Sequence, residues 1–243
     1  MAELEVIAHL KKAIKVWRNP QHTMWHKIKE FLLEIFIIVF AVSLSIGLHS
    51  WSEARHEQDE VRHFMQDLAQ NLTYDLKEYQ ASLGAYQLKA QVFDALVRNS
   101  VPDSSQINQL YLVIHDFDSP IPSRGRYESF KYSGKLGHIH DNELSAAIVS
   151  LFEEDTRRLQ NQTDFYIRLQ TSFHDKMNEL LVFDSTGRAS NVTTLVTTGV
   201  NYNLSRDLMH TEEIQAAYQV CIRRMHRILE LIHEEYPGLD AHA

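Results

Sequence analysis

Apolar residues run almost unbroken from Phe31 to Trp51 (FLLEIFIIVFAVSLSIGLHSW), and Ile35 to Leu48 carries no charge. Twenty-one helical residues rise about 31 Å, close to the roughly 30 Å hydrocarbon core of a bilayer. The pattern predicts a single transmembrane helix over residues 31–51, with Trp25 and Trp51 bracketing it as interfacial anchors do. Ser45-Ile46-Gly47 has the small-x-small form of a signal-cleavage site. Yet thirty residues precede the run, and it exceeds the ~7–15 residues of a signal-peptide core, so a retained anchor is expected.

Upstream, Leu4, Ile7, Leu10, Ile14 and Trp17 recur at three- and four-residue steps among Lys11, Lys12, Lys15 and Arg18. That spacing predicts a basic amphipathic helix on the membrane surface, ended by Asn19-Pro20. An exposed tail whose charge only sets topology is the plainer alternative. Downstream, no Gly or Pro occurs between Gly47 and Gly84. Val61, Met65, Leu68, Leu72, Leu76, Tyr79, Leu83, Tyr86, Ala90, Phe93 and Val97 form one stripe at helical steps. The span is expected to run on as a stalk to Arg98, 68 residues from Phe31 or about 100 Å. A kink at the membrane surface suits the same pattern.

Val101-Pro102-Asp103-Ser104 breaks the stalk, and Ile107, Leu110, Tyr111 and Ile114 mark a short helix. After the Asp118–Pro122 loop, Ser123 is expected to cap a second short helix that carries Tyr127 and Phe130 and stops at Gly134. Asp141 caps a helix predicted from Asn142 to about Val182, with Leu144, Ile148, Leu151, Leu159, Tyr166, Phe173, Met177 and Leu180 as its buried stripe. Residues 184–205 are rich in Ser, Thr, Asn and Gly and read as a loop with room for a short extended piece. A last helix runs from near Thr211 to Pro237-Gly238 on Ile214, Ala217, Cys221, Ile228 and Leu231. The expected fold is all-α: a single transmembrane helix continuing into an antiparallel helical bundle, because such stripes are buried only against one another or a partner chain.

Charge sets the orientation. Residues 1–30 hold six basic and three acidic residues, while 52–71 hold only Arg55 and Arg62 as cations. The positive-inside rule then makes residues 1–30 cytoplasmic and 52–243 extracytoplasmic. That outer part has 18 basic and 28 acidic residues, which discourages adhesion to anionic headgroups. The whole chain, at −8, lacks the basic footprint of a nucleic-acid binder. One cysteine among 243 residues excludes an intrachain disulfide, and few glycines and prolines argue against turn-rich β architectures.

Candidate chemistry is sparse. Glu34 lies one turn inside the span, where an ionised carboxylate is expensive. It is a candidate proton-binding or pairing group, unless it simply reaches headgroup water. Ala41 with Ser45, and Ser43 with Gly47, are small-xxx-small pairs that would let helices approach closely. His138-Ile139-His140 could put two imidazoles on one side of an extended segment, but a third ligand is missing. His56/His63 and His226/His233 suit solvated helix faces. No phosphate loop, nucleophile elbow or His-Glu-x-x-His is present, so no catalytic residue, metal or cofactor is expected.

Two stretches carry a resemblance. Glu34-Ile35-Phe36-Ile37-Ile38-Val39, with the exit Trp51-Ser52-Glu53, resembles the span of a family of uncharacterised single-pass membrane proteins common in Bacteroidota. Tyr127 to Leu136 (YESFKYSGKL), followed by Asp141-Asn142-Glu143-Leu144, is similar to that family's second signature. Leu33 replaces the family's usual Gly, and His49-Ser50 its usual Asn-Asn. The resemblance implies an inner-membrane protein with a periplasmic helical domain, and no established activity. The expected role is a non-enzymatic scaffold or interaction subunit, bound to the bilayer and to copies of itself or other membrane or periplasmic subunits. The alternative is a sensor-like ectodomain signalling through its span to a separate partner. A metal enzyme would rest on His138 and His140 alone.

Overall fold

A computed structural model of the chain describes residues 24–98, 113, 116–117, 122–182, 184–185, 190–191 and 199–239. The stripe expected on Leu4 to Trp17 and the helix expected on Ile107 to Ile114, Val113 apart, lie outside the described residues. Among the described residues the regular structure is entirely helical. In chain order it comprises α1 (Met24–Val97), α2 (Gly125–Tyr132), a 3-10 turn (Lys135–His138), α3 (Asn142–Ser150), a π-helical turn (Leu151–Asp155), α4 (Thr156–Leu180), α5 (Gly199–Leu208) and α6 (Glu212–Glu235). The chain divides between Glu60 and Val61 into two compact units.

The first unit is, in its described part, the N-terminal stretch of α1. From Phe31 to Trp51 every residue is exposed except Glu34 and Ile38, which are half-buried. Phe36 and Phe40 stack one turn apart at 6.0 Å, and the Arg55 guanidinium lies over the Trp51 ring. This is a helix long and apolar enough to cross a membrane, and none of its most apolar stretch is buried.

In the second unit, ring contacts fix the register. Tyr86 meets Tyr166 edge-on at 5.2 Å, and Phe93 meets Phe173 edge-on at 5.4 Å. The second pair lies seven residues further along both helices, so α1 and α4 run parallel. Arg227 bonds Glu143, Arg224 pairs with Asp155, and Gln162 bonds Glu213. Numbers rise on one side as they fall on the other, so α6 runs antiparallel to α3 and α4. The antiparallel bundle expected from the sequence therefore holds for α6 and fails for α1 against α4. The cause is the crossover after Arg98, which brings the chain back to the start of the bundle before α3: Phe130 of α2 stacks on Phe64 at 4.0 Å.

Most of the stripe read from the sequence is buried, from Val61 to Phe93 on α1, Leu144 to Met177 on α3 and α4, and Ile214 to Leu231 on α6. Tyr79, Tyr86 and Tyr218 form an aromatic knot where α1 meets α6. Each such side chain contributes about 2–3 kcal/mol by leaving water. Ala90 and Val97 are only half-buried, and Leu180 is exposed because α4 ends there.

Three local expectations are corrected. The 142–182 helix contains a π turn, in which the Thr156 amide reaches back five residues to the Leu151 carbonyl. The wider turn lets Leu151 and Phe152 both face inward. Part of the 184–205 loop is helical, since α5 starts at Gly199, with Leu204 and Leu208 one turn apart on its inner side. Ser123 does not cap α2: its hydroxyl and amide both donate to the Asp75 carboxylate, and Arg124 holds the cap position.

Candidate functional site

α2 is a short helix with little core of its own, and side chains from two other elements hold it. The Tyr127 ring stacks on Phe152 of the π turn at 4.5 Å. Its hydroxyl donates to Glu153 at 2.9 Å, and the Lys131 ammonium donates to the same oxygen at 2.6 Å. Those two bonds hold the Glu153 carboxyl below its usual range, against a smaller upward push from desolvation. Burial, then Glu153 itself, pushes the Tyr127 phenol well up, so it stays protonated. Lysine, phenol and carboxylate are spent on one another, which makes this cluster a clamp between α2 and the π turn.

Asp75 ties the start of α2 to α1. Its carboxylate is almost wholly buried and accepts from the Ser123 amide and hydroxyl, each at 2.9 Å. Desolvation pushes it above the ordinary aspartate range, and the two bonds from Ser123 pull the other way. Gly134 ends this segment at φ +77, a left-handed conformation in which a side chain is strained. Asp141 then caps α3 by accepting from the amides of Glu143 and Leu144.

A second polar anchor lies deeper. Lys89 is 1% exposed, and its ammonium donates to the Asp116 carbonyl at 2.7 Å and lies 3.2 Å from the Asp116 carboxylate. It also sits over the Tyr86 and Tyr166 rings, 4.8 and 5.8 Å from their centres. The Gln170 amide of α4 donates to the carbonyls of Val113 and Asp116. Lys89 and Gln170 thus fasten the crossover to the bundle interior. Neither Asp75 nor Lys89 was singled out from the sequence. The signal was present: Leu68, Asp75, Ser82, Lys89 and Leu96 form one seven-residue row beside the apolar stripe.

The residues singled out from sequence do not converge. Glu34 is half-buried on α1, while Ala41, Ser43, Ser45 and Gly47 are exposed, and a methyl group added at Gly47 would touch nothing within 4 Å. Trp25 and Trp51 are both exposed, and their offset of 26 positions sets them about 39 Å apart along the helix. His138 closes the 3-10 turn half-buried, Ile139 is buried, and His140 is exposed. His56, His63, His226 and His233 lie on exposed faces. Among the described residues, no group of three or more His, Cys, Asp or Glu is arranged to hold a metal ion.

A family model matches residues 34–209. The chain belongs to that family, one of unknown function (DUF6090). No curated protein and no solved structure matched. The DUF6090 match opens at Glu34 and takes in the apolar run from that residue onward, the α2 clamp and the Lys89 anchor. It stops at Met209, before α6. Yet α6 supplies Tyr218, which packs on both Tyr79 and Tyr86, so the matched segment alone does not complete the bundle.

Proposed function

We propose that the chain is a single-pass protein of the bacterial inner membrane that acts as a non-enzymatic interaction or scaffold subunit. Residues 31–51 span the bilayer, residues 1–30 lie in the cytoplasm, and residues 52–243 form a periplasmic helical domain. The observation that carries the reading is the apolar run on α1, exposed from Phe31 to Trp51 apart from two half-buried positions. Leaving that much apolar surface in water is costly, whereas a bilayer removes the cost. The tryptophan separation of about 39 Å suits anchors at two headgroup layers, since a bilayer with its interfaces is roughly 40–45 Å thick. The basic residues before the run support a cytoplasmic N-terminus. The likeness to single-pass proteins of Bacteroidota fits the same placement.

The scaffold role is supported by how the polar side chains are used. Glu153, Lys131, Asp75 and Lys89 bind other parts of the fold, and binding a partner needs only exposed helix faces, whereas catalysis needs a convergent site. The test has two readouts. Protease added to spheroplasts should digest residues 52–243, and extraction of native membranes in mild detergent should bring out a stable complex. A domain cut only after lysis overturns the topology. A monomeric, partner-free protein overturns the scaffold and favours an ectodomain that signals through its span.

A further inference from the structure

We infer that Trp51, Arg55 and Asp59 form a site on α1 for the headgroup of a zwitterionic phospholipid, with the phosphodiester on Arg55 and the ammonium on Asp59. The inference deepens the proposed membrane anchor and rests on it. The three residues follow one another at four-residue steps where the apolar run ends, and all three are exposed. At 1.5 Å per residue, Arg55 stands about 6 Å and Asp59 about 12 Å beyond Trp51 along the helix. Four-residue steps keep them on one side of α1. An aromatic ring, a cation and an anion therefore succeed one another as the helix leaves the run. A phospholipid with an ammonium headgroup presents the matching series in the same direction: acyl chains and glycerol, then phosphate, then ammonium.

The use made of the two charges selects this ligand. Opposite charges four residues apart on a helix commonly pair, yet Arg55 and Asp59 do not. The Arg55 guanidinium turns back toward the apolar run and lies over the Trp51 ring, 5.6 Å from its centre. That direction is the natural lean of a helical side chain toward the preceding turn, and it sets the guanidinium at the level of Trp51, the residue that meets the headgroup layer in the anchor reading. Stacking covers one face of the guanidinium and leaves its N–H edge open, and that planar fork matches two oxygens of a phosphodiester. By spacing, Asp59 is within reach of Arg55 and of Arg62, and among the described residues it bonds neither. Its carboxylate stands one turn further out, where the ammonium of such a lipid lies. Glu53 and Glu57 are each two positions from Arg55 and so face away from it. A headgroup carrying phosphate alone would meet Asp59 with nothing to offset it, on a chain of net −8.

The test is native mass spectrometry of the full chain released from detergent micelles doped with equal amounts of phosphatidylethanolamine, phosphatidylcholine and phosphatidylglycerol bearing the same acyl chains. The ethanolamine lipid should be retained most, the choline lipid less because its ammonium has no N–H to donate, and the glycerol lipid least. Arg55→Ala should cut retention of the ethanolamine lipid about tenfold through loss of a charged hydrogen bond, and Arg55→Lys should restore only part of it, having no fork. Asp59→Asn should bring the ethanolamine lipid down to the level of the choline lipid. Arg62→Ala removes the same charge seven residues further on and should change nothing. Far-ultraviolet circular dichroism should match wild type in all four variants. Equal retention of the three lipids, indifference to Arg55→Ala, or an equal loss with Arg62→Ala each overturns the site. Millimolar inorganic phosphate should displace no lipid; displacement would reveal a site for free anions and overturn the headgroup assignment. Alkaline carbonate extraction of native membranes reads the anchor separately. A chain that washes off yet prefers the ethanolamine lipid refutes the anchor alone, and one that stays yet retains the three lipids equally refutes this site alone.

Discussion

Replacing Lys89 with Met keeps the apolar stem in place and deletes only the ammonium. The loss comprises one charged hydrogen bond to the Asp116 carbonyl, one ion pair with its carboxylate, and two contacts with tyrosine faces. A hydrogen bond from a charged donor is worth about 1.5–3 kcal/mol, and a desolvated cation over an aromatic ring about 2 kcal/mol. Two effects reduce the sum. Methionine no longer requires an ammonium to be stripped of water. The Asp116 side chain is 36% exposed, so the carboxylate left behind keeps part of its hydration, and the cost stays below the ~3–5 kcal/mol of breaking a fully buried pair. The expected net loss is about 1–2 kcal/mol, a fall in Tm of roughly 3–6 °C for a domain of this size. The assay is a thermal melt of the full chain in mild detergent, followed by near-ultraviolet circular dichroism, which reports the Tyr79, Tyr86, Tyr166 and Tyr218 cluster rather than the whole helix content. Asp116→Asn and the double variant complete a cycle with an expected coupling of about 1 kcal/mol. If Lys89→Met melts at or above wild type, burying the ammonium costs more than its partners return, and Lys89 is not what fastens the crossover.

Gly134→Ala should lower stability by about 1–2 kcal/mol through its left-handed backbone alone, since the space around it is open; a melt unchanged from wild type would show that the turn relaxes freely. Asp141→Ala removes the cap of α3 and should cost about 1 kcal/mol, with Asp141→Asn costing visibly less in the same melt. Burial pushes the Cys221 thiol up to about 12, so alkylation at pH 8 should be more than about a hundredfold slower in the native chain than in guanidinium, and equal rates would mean the α1–α6 seam is open. Glu153, held below its ordinary value of 4.5, stabilises the fold above that range and loses its effect as pH falls through the folded value. The gap in stability between wild type and Glu153→Gln should therefore hold from neutral pH down to about 4.5 and shrink as the pH falls further, through the lowered folded value, and a gap independent of pH would show that the Lys131 bond is not what lowers it. Asp75 works the other way: its pKa is raised, so the cost of burying its charge is relieved as the solution is acidified.

Periodicity made the long helices legible because it depends only on which side faces the core. Every stripe position on α6 is buried, and those on α1 from Val61 to Phe93 fail only marginally, at Leu83 and Ala90. The same periodicity says nothing about direction, because a stripe packs equally well against a parallel or an antiparallel neighbour. The parallel setting of α1 and α4 depends on a crossover whose course no local pattern encodes. Capping was half legible for a related reason. Asp141 caps α3 through amides two and three residues away, which sequence specifies, whereas Ser123 was expected to do the same and is instead claimed by Asp75, 48 residues upstream. The π turn was hidden because the shift from Leu151 to Phe152 looks like ordinary scatter in the stripe. Asp75 and Lys89 could have been noticed, since they stand in a row whose ends, Leu68 and Leu96, are buried; reading only the centre of the stripe passed over its flank.

The segment that carries the likeness to the family has a structural account at each of its prominent positions. Tyr127 and Phe130 fill the space between α2, the π turn and α1. Lys131 bonds Glu153. Gly134 makes a turn other residues resist, and Asp141 starts α3. Residues needed for the fold say little about what the fold is for, because they would be the same whatever the domain binds. The informative positions are those the fold leaves unused. Arg55 and Asp59 satisfy that condition just beyond the apolar run, and Ala41, Ser43, Ser45 and Gly47 satisfy it within the run. All six lie on α1 in the first unit. Substitutions there should accordingly alter lipid contact or assembly with little change in stability, whereas those in the α2 clamp should alter stability first and assembly only as a consequence.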